Sequence, residues 1–140
     1  MRYMGIDFGD ARVGIALSDP LGMMAQGYGT LKNDGTEQLF LDIQAIIKEK
    51  EVTTIVVGLP KNMDGTEGFR SEATKVFVEK LKAYTEAEIV FSDERLTTVS
   101  AHGFLSEMNV RGKKRKGAVD TLSAALILET YMRKTGSFSV

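Results

Sequence analysis

The chain has no cysteine, no tryptophan, one histidine and two prolines among its 140 residues. Without cysteine there can be no disulfide and no thiolate metal site. The lone His102 excludes a multi-histidine zinc site and leaves little for a Ser-His-Asp triad. It falls in a predicted helical segment and reads as a structural histidine rather than a general base. Any metal would therefore be held by oxygen ligands, which suits Mg²⁺ or Mn²⁺. Aromatic residues are few, 8% of the chain, and none interleaves with its basic run. Base stacking on a single strand is not indicated, so recognition through backbone and shape, as for a structured or duplex substrate, fits better. Formal net charge is −1, so any attraction for nucleic acid must be local. No apolar run approaches membrane-spanning length, and the N-terminus enters a strand almost at once. The expectation is a cytoplasmic protein with no membrane partner.

With 43% apolar and 26% charged residues, the composition is that of a globular chain, and its length suits one domain over 1–140. Met4 to Asp19 reads as two strands joined by a tight turn. Met4, Ile6 and Phe8 alternate with Tyr3, Gly5, Asp7 and Gly9, which is strand period. Ala25 to Leu31 is a weak third strand, and Thr36 is a plausible cap for the helix that follows. In that helix Leu39, Phe40, Ile43, Ile46 and Ile47 recur at helical spacing to about Lys50. The β-branched run Thr53–Val57 predicts a strand buried on both faces. A polar, glycine-rich loop, Gly58–Gly68, follows at its carboxyl end, where ligands of open α/β sheets collect. Ala73, Val76, Phe77, Leu81 and Tyr84 mark a second helix, and Ile89–Phe91 a short buried strand. A third helix is expected from Thr97 or Thr98 to about Met108. Arg111–Gly117 reads as a loop, and a last helix begins near Val119 and reaches about Lys134. The order βββαβαβαα implies an α/β fold with a mixed five-stranded sheet and helices on both faces.

Three acidic positions stand out by placement. Asp7 lies in the middle of an apolar strand, where a carboxylate is costly to bury unless a cation or donors satisfy it. Gly5 and Gly9 remove the same-face side chains on either side and leave room for a close approach. Asp93 and Glu94 end the last strand, and Asp120 falls in the first turn of the last helix. Two-metal phosphoryl chemistry needs carboxylates converging from different elements around ions about 3.5–4 Å apart. Taken singly, Asp120 reads as a helix-dipole acid and Asp93–Arg95 as a solvated turn. Together they predict a cation site that a phosphate backbone reaches.

Five of the six residues from Arg111 to Lys116 are basic, and they immediately precede Asp120. A solvated charge run is the ordinary meaning of such a stretch. Its position makes Arg111, Lys113, Lys114, Arg115 and Lys116 candidates to hold a phosphate backbone. Arg12, Lys61, Arg70 and Arg95 are secondary candidates.

At this point the chain resembles a known family. Gly5-Ile-Asp-Phe-Gly9 with Gly14–Asp19, then Val57–Pro60 with Met63–Gly68, then Asp93–Thr98, and finally Lys116–Asp120 with Ala124-Ala125, are similar to the YqgF (RuvX) family. Its members are described provisionally as pre-16S rRNA nucleases and also as Holliday junction resolvases. The motifs span nearly the whole chain in family order. The resemblance implies an RNase H-like fold and metal-dependent phosphodiester hydrolysis. It also implies an acidic site of Asp7, Glu94 and Asp120 holding Mg²⁺ or Mn²⁺, with Asp93 as the alternate second ligand. The implied substrate is nucleic acid: the precursor of 16S rRNA, or branched DNA. Monomer and homodimer both stay open: an rRNA nuclease can work as a monomer, whereas a resolvase acting on two strands needs a symmetric homodimer. Two other classes compete. One lobe of an actin-like ATPase or sugar kinase would start with a similar hairpin, but those enzymes need two lobes. A non-catalytic nucleic-acid-binding module would keep the fold without the chemistry.

Overall fold

The computed structural model describes residues 2–20, 24–59, 69–93 and 112–134, with the backbone alone at 69–70, 93, 112–120 and 134. The strands are β1 (Arg2–Phe8), β2 (Arg12–Ser18), β3 (Ala25–Lys32), β4 (Val52–Leu59) and β5 (Glu88–Asp93). The helices are α1 (Gln38–Lys50), α2 (Phe69–Leu81) and α3 (Gly112–Lys134). The helix expected near 98–108 and the loop 60–68 lie outside the described residues.

The strands form one sheet in the order β3-β2-β1-β4-β5. The opening meander is antiparallel, while β4 lies parallel to β1 and β5 parallel to β4. The alternation in β1 divides the molecule into two cores. Met4 and Ile6 pack with Val13, Ile15, Ile55 and Val57 against α1 and α2. On the other face Ala16 and Val56 pack against Ala124, Ile127, Leu128 and Met132 of α3. β4 contributes to both, which explains its unbroken β-branched run. Each fully buried Ile or Leu contributes about 1.5–3 kcal/mol, so this two-sided burial dominates the stability. Among the described residues no helix is long and apolar enough to cross a membrane.

Several local expectations change. Thr36 does not cap α1: its hydroxyl and its backbone N–H both donate to Asp34 Oδ1, at 2.6 and 3.1 Å. Asp34 thereby closes a turn through Gly35, which has φ +78°. At the other end of α1, Glu51 adopts φ 55° and its N–H donates to the Ile47 carbonyl. β5 is an edge strand rather than a buried one, and Phe91 is 41% exposed. From Gly112 on, the basic run is not a loop, because α3 begins there and carries Lys113, Lys114, Arg115 and Lys116 in its first two turns.

Candidate functional site

Strand register sets the surroundings of Asp7. Its antiparallel partner on β2 is Gly14, whose partner on β3 is Thr30. On the other side Ile6 pairs with Val57, so one step along the same ladder brings Asp7 beside Gly58, and Gly58 pairs with Ser92. The cross-sheet row through Asp7 is thus Thr30, Gly14, Asp7, Gly58 and Ser92. It continues the face carrying Gly5, Ala16 and Val56, which is the face α3 covers. Every neighbour of Asp7 in this row is small. Asp7 is half-buried, Gly14 and Gly58 are buried, and Ser92 is 7% exposed.

α3 sits directly on the sheet because glycines admit it. A Cβ at Gly5 would lie 2.6 Å from the Ala124 carbonyl oxygen and 2.8 Å from Leu128 Cβ, and one at Gly27 would overlap the Thr121 methyl. The space beside Asp7 at Gly5 is therefore taken by a helix backbone, not left open for a ligand. Gly9 serves the hairpin: its N–H donates to the Arg12 carbonyl at 3.0 Å, and a Cβ there would lie 2.7 Å from that oxygen.

The helix runs against β1. Tyr131 meets Tyr3 edge to face at 6.2 Å between ring centres, and Ala124 with Leu128 meets Gly5. From Gly5 to Asp7 the strand advances about 6.6 Å. One helical turn, from 124 back to 120, covers about 6 Å. The backbone at position 120 thus reaches the level of Asp7, in the same helical row as Ala124. Asp120 is the ninth residue of α3, so it lies well past the first turn, which contains no acid. The macrodipole fades within the first turn and does not account for Asp120 there.

The remaining candidates divide clearly. Asp93 is the last residue of β5, described by its backbone and paired with Leu59. Glu94, Lys61, Arg95 and Arg111 lie outside the described residues. Arg70 is in the first turn of α2, on the opposite layer from α3. Lys113, Lys114, Arg115 and Lys116 precede Asp120 on α3, so the helix carries them beyond the level of Asp7. Arg12 is two residues before Gly14 on β2 and shares the face of Asp7, one strand step nearer the open end. Among the described residues no group of three or more His, Asp and Glu side chains comes together.

Two features escaped sequence reasoning. Lys32 pairs with Arg12 across β2 and β3, which puts two cationic residues in one row next to that of Asp7. Ser123 on α3 is fully buried, and its hydroxyl has no hydrogen-bond partner among the described residues. Only register and burial reveal either one.

Electrostatic perturbation is visible elsewhere in the fold. The Thr36 hydroxyl, followed by its N–H, holds the Asp34 carboxyl below its ordinary value. Burial, then the Glu88 carboxylate, raises the Tyr131 phenol. The hydrogen bond to Glu37 raises that of Tyr84.

Comparison with known proteins places this geometry. A family model described as RuvX, Holliday junction resolvase, matches residues 1–134. A protein of Ruminiclostridium cellulolyticum, described provisionally as a pre-16S rRNA nuclease, is 47% identical over 133 residues, covering 94% of each chain. A protein of Halalkalibacterium halodurans with the same description is 47% identical over 134 residues, covering 94% of this chain and 96% of the relative. Among solved structures, Thermus thermophilus RuvC in complex with a Holliday junction substrate superposes with a TM-score of 0.59. It shares 14% identity over 96% of each chain, a likeness of fold. The family model covers residues 1–134 and the identities run nearly full length: the chain belongs to the RuvX family.

Proposed function

We propose that this protein is a metal-dependent nuclease that hydrolyses phosphodiester bonds, acting in the cytoplasm in 5′-end maturation of pre-16S rRNA. The observation that carries the reading is Asp7: a carboxylate in a row of glycines and small residues at the carboxyl end of β1, under a helix that brings position 120 to its level. The identity of 47% with relatives of that description, at nearly full length, supports the substrate.

The available donors fit a hard divalent cation. All are oxygens, since the chain has no cysteine and its one histidine lies elsewhere in the sequence. A buried hydroxyl with no partner among the described residues, three residues past Asp120, is the kind of group that a hydrated ion satisfies. In this reading Asp7, Glu94 and Asp120 hold Mg²⁺ or Mn²⁺, with Asp93 as the alternate to Glu94. When bound, the ions supply an activated water and neutralise the leaving oxygen. The chain does the positioning. Asp7 is paired with Gly14 on β2 and directly follows Ile6, which pairs with Val57 on β4, so its backbone is held and its carboxylate moves about its own side-chain torsions. Lys113, Lys114, Arg115 and Lys116, with Arg111, Arg12, Lys61, Arg70 and Arg95, hold the phosphate backbone and set the scissile bond against the acids.

The test is cleavage of precursor and mature-end RNA by the purified protein, with Mn²⁺ and with EDTA, for the natural chain and Asp7→Asn. Cleavage that needs the cation and vanishes in the variant is expected. Cleavage in EDTA, or by Asp7→Asn, overturns the mechanism, and binding without cleavage favours a non-catalytic module. The family description favours one second reading, resolution of branched DNA. A four-way junction in the same assay, with the mass of the protein in solution, separates the two, because paired incisions need a symmetric homodimer.

A further inference from the structure

Buried polar side chains in this fold generally have partners. Ser18, 3% exposed, shows the rule: its hydroxyl accepts the Tyr3 N–H at 2.8 Å and donates to the Asp19 carbonyl at 3.0 Å. Ser123 departs from it, with no exposure and no partner among the described residues. A serine inside a helix commonly bonds the carbonyl one turn back, and this one does not. Alanine would cost less here. It is the better helix former and leaves no hydroxyl to satisfy, and the next two positions, Ala124 and Ala125, already hold it. A buried group left in this state calls for a function or an unseen water or ion.

Its location supplies one. Ile127 and Val56 belong to one buried cluster, and Val90 packs against that cluster. One helical turn back from Ile127 is Ser123. One same-face step along the two strands leads from Val56 to Gly58 and from Val90 to Ser92. On α3, Ser123 therefore lies between Ala124, which meets Gly5, and position 120, which reaches the level of Asp7, and it is turned away from Thr121 and β3, toward β4 and β5. It is three residues from Asp120, and the next strand residue beyond Ser92 is Asp93.

We propose that Ser123 is a positioning residue for the divalent cation of the acidic site, its hydroxyl accepting a hydrogen bond from a water in the ion's shell. The inference rests on the reading of that site as a cation site. Mg²⁺ keeps several of its waters when bound, and groups that orient such shells set the affinity. Among the described residues the hydroxyl is unpaired, and in this reading its partner arrives with the ion.

The experiment compares Mn²⁺ binding by titration calorimetry with thermal unfolding in EDTA, for the natural chain, Ser123→Ala, Ser123→Cys and Asp7→Asn. Ser123→Ala is expected to lose about 10–100-fold in Mn²⁺ affinity. Its metal-free Tm should equal or exceed that of the natural chain, because an unsatisfied group has been removed. Ser123→Cys, which keeps the shape but makes only weak hydrogen bonds, should lose affinity similarly, and it decides the matter if Ser123→Ala does not fold. Unchanged Mn²⁺ affinity overturns the inference, and so does a loss of affinity matched by a lower metal-free Tm. If Asp7→Asn abolishes Mn²⁺ binding while the Ser123 variants bind normally, only the Ser123 inference fails. If the natural chain binds no Mn²⁺, or Asp7→Asn binds as well, the acidic-site reading fails and takes this one with it.

Discussion

Gly5→Ala should be the most informative small change in this chain. The added Cβ would lie 2.6 Å from the Ala124 carbonyl oxygen and 2.8 Å from Leu128 Cβ. Ordinary contact begins near 3.4 Å, so relief requires about 0.8 Å of movement. The atom in the way is helix backbone, with no torsion to turn it aside, and β1 is pinned between β2 and β4. α3 must lift as a body. A gap of that size forfeits a quarter to a half of the dispersion energy where it opens, and Ala124, Ile127, Leu128 and Met132 all face it. Overpacking of this kind costs about 1–3 kcal/mol, and the upper half of that range is expected here. Two other glycines serve as controls. At Gly29 an added Cβ meets nothing within 4 Å, so Gly29→Ala should be neutral or stabilise by about 0.5 kcal/mol. At Gly27 the obstacle is the Thr121 methyl, the end of a side chain, so Gly27→Ala should cost less than Gly5→Ala and be rescued by Thr121→Ala. Urea unfolding midpoints at constant slope measure all three. Nuclease rates well below the unfolding transition then ask whether lifting α3 also disturbs catalysis, as it must if Asp120 works with Asp7. A Gly5→Ala cost under about 0.5 kcal/mol, equal to that at Gly29, would refute the close seating of α3 on which the alignment of positions 7 and 120 depends.

Other expectations follow from single features. Asp7→Asn should abolish metal-dependent cleavage with little change in the urea midpoint, since the amide keeps the shape but is a poor ligand for a hard cation. Replacing Lys113, Lys114 and Arg115 together with Ala should weaken RNA binding and reduce the slope of log K against log salt by about 2–3 on a duplex; an unchanged slope removes the basic run from the interface. Thr36→Val should move the Asp34 carboxyl, followed by NMR titration, up toward the ordinary value of an aspartate, because the Thr36 hydroxyl is the largest cause of its lowering. A lowered carboxyl adds stability above its unfolded value that is lost as pH falls through the folded one, so the variant's acid limb should be shallower. Glu51→Gly should raise stability by about 1 kcal/mol, seen as a higher urea midpoint, because φ 55° suits glycine and strains glutamate.

Much of the fold was legible because burial leaves a period in the sequence. Met4 and Ile6 alternate with Tyr3 and Gly5, and the two sets do enter different cores. The continuous run in β4 signals burial on both faces for the same reason. Ile89–Phe91 misled because a short apolar run reports hydrophobicity and not its place in the sheet order, and that order left β5 at an edge. Gly112 and Gly117 suggested a loop because glycine costs about 1 kcal/mol in a helix. The intervening Lys and Arg residues are good helix formers, and α3 runs through both glycines.

What the sequence could not supply is the register that surrounds Asp7 with small residues. Gly14, Gly58 and Ser92 are separated from Asp7 by 7, 51 and 85 residues in the chain, and nothing local in any of them points to the others. A shift of one residue in the pairing of β4 with β1 would turn Val57 toward α3 in place of Gly58 and fill the row with a branched side chain. The two-sided burial of β4 forbids that slip, since Ile55 and Val57 complete one core and Val56 the other. The hydrophobic pattern thus sets the register, and the register clears the space beside Asp7. A substitution that weakens the pattern at Val56 should therefore harm catalysis as well as stability, even though Val56 touches no reacting atom.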